Sequence, residues 1–167
     1  MDAVTEWLAR GALVGVGATA VMDAWAYWLR RSFGTPSLDY ALVGRWMAHW
    51  RRGRFRHASI ARAEPARGER ALGWLAHYLI GVVFALLLLA ACGELWWRAP
   101  TPGPALLFGL ASAAAPFLLM QPAMGAGFFA SKTPRPWLSR RRSLAAHASF
   151  GLGLYAAAWV LAHWPAF

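Results

Sequence analysis

Residues 71–97 read ALGWLAHYLIGVVFALLLLAACGELWW, and up to Glu94 only His77, besides the thiol of Cys92, readily carries charge. At about 1.5 Å per helical residue, a run this long covers the roughly 30 Å hydrocarbon core of a bilayer. Three further runs share the character: Trp7 to Leu29, Pro104 to Gln121 and Leu144 to Trp164. A chain that is 59% hydrophobic, only 14% charged and holds 11 Trp departs from soluble-domain composition in the same direction. The expected fold class is an all-α integral membrane protein: a four-transmembrane-helix bundle, with residues 1–167 as one membrane domain.

Irregularities in the runs carry information. Arg10 and Asp23 interrupt the first, and Pro116 lies inside the third, where a missing N–H predicts a bend or local widening. Asp2 and Glu6 stand where a secretory signal would be basic, so the first span is expected to be retained. Cys92 is the lone cysteine and reads as a small packing residue.

Basic residues set orientation, because Lys and Arg accumulate on the cytoplasmic side of short loops. Of the 17, ten lie from Arg30 to Arg70 and five from Lys132 to Arg142, leaving only Arg10 and Arg98 elsewhere. Loops 30–70 and 122–143 are therefore expected in the cytoplasm and both termini outside. The net charge of +10 then describes one membrane face, for which anionic lipid is the expected partner and nucleic acid is not.

The first inner loop holds a helix signal of its own. After the turn and cap Thr35-Pro36-Ser37, residues Leu38, Leu42, Trp46 and Trp50 recur four apart, with Arg45, His49, Arg51 and Arg52 around the end of the stripe. An amphipathic helix in the headgroup region is expected, with His49 as a boundary residue. Residues 53–70 should be irregular. The glycines and prolines of 121–137 exclude a long helix there, and their spacing matches no phosphate or dinucleotide loop.

Polar groups inside spans are costly in hydrocarbon and are functional candidates by default. Asp23 lies seven residues before Arg30, His77 seven after Arg70 and His147 five after Arg142, while Gln121 closes the third span. Each span thus offers one polar group to a common inner layer. The stripes Gly11-Gly15-Thr19-Asp23, Gly73-His77-Gly81 and His147-Gly151-Tyr155 put these groups on faces suited to close helix packing. Such a layer either ties helices together or binds protons, a metal ion or a small polar ligand. For metal, the weak candidates are His77, His147, Met120 and Met124, with haem between the two histidines also conceivable. No ligand spacing supports either, and the expectation is no cofactor. No nucleophile has a neighbouring base, which leans away from an enzyme.

Two internal matches point to a diverged parallel repeat: Ala76-His77-x-x-x-Gly81 with Ala146-His147-x-x-x-Gly151, and Thr35-Pro36 with Thr133-Pro134. Four longer segments, Gly15-Val16-Gly17-Ala18-Thr19-Ala20-Val21-Met22-Asp23, Asp39-Tyr40-Ala41-Leu42-Val43-Gly44-Arg45-Trp46, Gly73-Trp74-Leu75-Ala76-His77-Tyr78 and Gln121-Pro122-Ala123-Met124-Gly125-Ala126-Gly127, occur in order along the chain. In these the chain resembles a bacterial membrane family, domain-of-unknown-function family 2938, over nearly its whole length. The resemblance implies an inner-membrane location and four spans, with no activity or site residues to carry over. The expected function is a small transport-type or transport-accessory protein. Its alternatives are a non-catalytic assembly subunit of a larger membrane complex, a homo-oligomer among the contexts, and a metal- or haem-binding module.

Overall fold

The computed structural model describes residues 2–164, which are helical with no strand among them. Helix α1 runs Ala3–Phe33. Its start is capped by Asp2, whose carboxylate accepts the Thr5 N–H at 2.8 Å, and its end by Gly34 at φ 62°, a conformation that favours glycine. Helix α2 spans Tyr40–His49, with Asp39, two residues beyond the expected Ser37, accepting the Ala41 N–H at 3.0 Å. Helix α3 is Glu69–Arg98, α4 Pro102–Ala123 and α5 Pro136–Ala162. Four of these, α1, α3, α4 and α5, are long and apolar enough to cross a membrane.

Three details differ from or sharpen the reading of the sequence. The final helix starts at Pro136 rather than Leu144, so Arg140, Arg141 and Arg142 ride on its first turns. Proline suits a first helical turn because its missing N–H has no partner there anyway. Pro116 widens α4 into a π turn over Pro116–Met120, the local widening its position implied. Inside α3, Gly93 at φ 72° breaks the helix before its last turn.

By its contacts the chain divides into two compact units. The first takes residues 2–36, 78–112 and 145–164 and is a four-helix packing of α1, the later part of α3, the start of α4 and most of α5. Its core is Val14, Ala18, Ala85, Leu88, Leu89, Phe150 and Leu154, each nearly inaccessible. Between helices this apolar, close approach supplies attraction, and glycines permit it. A Cβ on Gly15 would collide with the Val82 backbone of α3, one on Gly109 would lie 2.5 Å from Gly151 Cα, and one on Gly153 would lie 2.7 Å from Ala18 Cα. Leu13, Val83, Leu87 and Leu107 point outward, as apolar groups on helices solvated by lipid would.

The second unit takes residues 37–77 and 113–144. Helix α2 crosses the start of α3 through Gly44 and Gly73, where a methyl group would strike the Glu69 and Tyr40 carbonyls respectively. Val43 and Gly44 are buried in this crossing, whereas Leu38 and Trp50 of the expected apolar stripe stay on the outside. Residues 53–68 are irregular apart from a 3₁₀ turn at Ile60–Arg62. They join the 121–125 turn by backbone bonds, His57 N–H to Ala123 O at 2.8 Å and Ile60 N–H to Met124 O at 3.0 Å.

Candidate functional site

The stripe on α1 behaves as its spacing implies. Gly11 lies against Leu86, Gly15 against Val82, and Thr19, itself bonded to the Gly15 carbonyl at 2.7 Å, against Gly81. One turn further, Asp23 Oδ2 accepts a hydrogen bond from Tyr78 Oη at 3.0 Å. Tyr78 is thus a partner of Asp23 on α3. His77 is the residue just before Tyr78 on α3. It stacks on Tyr40 with ring centroids 4.1 Å apart and meets the edge of Trp74, both in the second unit. The Gly73-His77-Gly81 stripe is accordingly shared: Gly73 receives α2 and Gly81 receives α1.

His147 sits in the first unit, where its Nδ1 and the Ser112 hydroxyl of α4 are 2.7 Å apart. The same hydroxyl donates to the Gly109 carbonyl at 2.6 Å, so it accepts from an Nδ1–H tautomer of His147. Gly151, one turn along, packs on Ala105 and Gly109. The two positions matched in the internal repeat, Gly81 and Gly151, thereby do the same work, each receiving the span that precedes its own helix.

Gln121 belongs to the second unit, and its Oε1 is buried without a hydrogen-bond partner. Of the four residues expected to form one layer, Asp23 and His147 belong to the first unit and His77 and Gln121 to the second. Within the first unit each has a hydroxyl partner from a neighbouring helix. Of the metal candidates, His77, Met120 and Met124 lie in the second unit and His147 in the first; no three His, Cys, Asp or Glu side chains among the described residues are grouped to hold a metal ion.

Three features escaped the reading of the sequence. Trp96 belongs to the first unit's core, 7% exposed, with its Nε1–H bonded to the Thr101 carbonyl at 3.2 Å. Arg45 makes a forked ion pair with Glu69, Nε to Oε2 at 2.9 Å and Nη2 to Oε1 at 2.8 Å, and its Nη1 reaches the Ile60, Ala61 and Ala63 carbonyls at 3.1–3.4 Å. His49, expected at a boundary, is 3% exposed and bonds the ring of His57. Arg45 lies in the run Asp39 to Trp46, which meets α3 at the Gly44 crossing.

A family model described as protein of unknown function, DUF2938, matches residues 12–161. The chain belongs to the DUF2938 family. Its match encloses α2 to α4 and the Asp23–Tyr78, Ser112–His147, His49–His57 and Arg45–Glu69 pairs. No curated protein and no solved structure matches the chain.

Proposed function

We propose that this DUF2938 member is a small transport-type protein of the bacterial inner membrane, with both termini periplasmic and an inner polar site that takes protons or a small ligand from the cytoplasm. The observation that carries the reading is the Asp23–Tyr78 hydrogen bond, a carboxylate held by a phenol between two apolar helices. Carboxylates at such depth are costly unless they work or are paired, and a phenol is itself a proton carrier. Asp23 lies about 10 Å along α1 from Arg30, close to the basic face that the distribution of Arg and Lys assigns to the cytoplasm. Anionic lipid headgroups are the partners proposed for that face.

The test uses the purified full chain in liposomes loaded with a pH-sensitive dye, under an imposed potassium diffusion potential. Proton flux above empty liposomes, lost in Asp23→Asn and reduced in Tyr78→Phe with thermal stability retained, is the expected result. Undiminished flux in Asp23→Asn would overturn the assignment of Asp23. A second reading, a non-catalytic assembly subunit, is favoured by the hydroxyl clamps and the Gly15 and Gly109 crossings, which suit helix pairing by themselves. It expects no flux and a loss of stability in Asp23→Asn.

A further inference from the structure

The His49–His57 pair is built in a way that a purely structural contact does not require. The Nε2 of His49 lies 3.0 Å from the Glu64 carbonyl oxygen. A carbonyl only accepts, so this nitrogen carries the proton, and the Nδ1 of a neutral His49 is a bare lone pair. His57 Nε2, 2.8 Å from that Nδ1, must then be the donor. It follows that Nδ1 of neutral His57 is also bare, and this atom is buried with no partner. The chain of donors leads one way, from His57 through His49 to the Glu64 carbonyl.

The pair stands at a joint. His57 donates its backbone N–H to Ala123, and Ile60 donates to Met124. Gly125, at φ 93°, lies so close to the Ala58 carbonyl that a Cβ would overlap it. On α2, Trp46 Nε1–H holds the Phe55 carbonyl at 2.8 Å. Segment 53–64 is thereby fastened on one side to α2 and on the other to the 121–125 turn.

We propose that His49 and His57 form a proton-binding latch in the second unit: neutral, the pair holds segment 53–64 closed, and one added proton opens it. The added proton has no good place. On His49 Nδ1 it would set two N–H groups against each other across 2.8 Å. On His57 Nδ1 it would put a charge on a buried atom without an acceptor. Of the charged neighbours, Arg54 repels a cation on His57, whereas the Glu69 carboxylate, committed to Arg45, favours one on His49; Arg52 is committed to Glu64, and residues 121–126 bring no titratable side chain. Burial, then His49 and Arg54, hold the His57 imidazolium below the usual histidine range. The sign follows: the opened state binds more protons, so closure is complete above the ordinary histidine pKa and is lost as pH falls through the lowered one.

The experiment follows the His57 and Ile60 backbone amides of the full chain in detergent by hydrogen exchange. Corrected for intrinsic rates, exchange should be faster at about pH 5.5 than at about pH 7.5 by up to about tenfold, the limit for one proton, with the amides of α1 unchanged. His57→Gln keeps a donor for His49 but cannot take the proton, so the pH step should vanish. A step that survives in His57→Gln, or no step in the natural protein, overturns the proposal. If that variant does not fold, ¹⁵N spectra of the natural protein's histidines decide the matter. Two Nε2–H tautomers, with His57 protonated only below the ordinary histidine range, support the latch, and a His57 ring protonated in or above that range while segment 53–64 stays closed refutes it.

Discussion

Removing the Arg45 guanidinium should be among the most damaging single changes available outside the spans. Its side chain is 12% exposed and that of Glu69 16%, so little water screens the pair. In Arg45→Met the Glu69 carboxylate would keep only the Ala66 N–H at 2.7 Å, and the carbonyls of Ile60, Ala61 and Ala63 would lose the donor they share. Breaking one side of such a pair costs about 3–5 kcal/mol, because the surviving charge stays buried and unpaired. That corresponds to exchange of the Ile60, Arg62 and Ala63 amides accelerated on the order of 10²- to 10³-fold, up to the limit set by full opening of the segment. Arg45→Lys keeps the charge without the fork and should fall between. The decisive comparison is the double variant Arg45→Met/Glu69→Gln, which removes both charges and should recover a substantial part of the loss. If the double variant is no better than the sum of the single ones, or Arg45→Met exchanges like the natural protein, the buried pair does not hold the segment and the reasoning fails.

Glycines at the crossings should respond unlike glycines in open space. Gly44→Ala strikes the Glu69 carbonyl and should cost about 1–3 kcal/mol or more in detergent stability, whereas Gly103→Ala, with nothing within 4 Å, should be neutral or gain up to about 1 kcal/mol in thermal unfolding. For topology, the natural Cys92 is first replaced by Ala and single cysteines are placed at Arg56 and Thr101. An impermeant thiol reagent added to intact cells should label the Thr101 position and spare the Arg56 position, and the opposite pattern would invert the orientation.

What could be read from sequence was whatever depends on composition and on period. A helix must satisfy its own backbone in hydrocarbon, so four long apolar runs imply four long helices without knowledge of their neighbours, and all four are present. The stripe from Gly11 to Asp23 announced a packing face because four-residue spacing lies on one side of a helix, and it is the face that meets α3. Partner identity was another matter. That Asp23 accepts from Tyr78 depends on the rotation of α3 about its axis, which one residue changes by about 100° and which the helix's own periodicity leaves undetermined. The second unit was least legible. Arg45 to Glu69 and His49 to His57 join residues across an irregular segment, where no period constrains the chain. Their bonds exist because the Gly44–Gly73 crossing brings α2 onto α3 and the 121–125 turn receives the His57 and Ile60 amides, so only the tertiary structure could decide them.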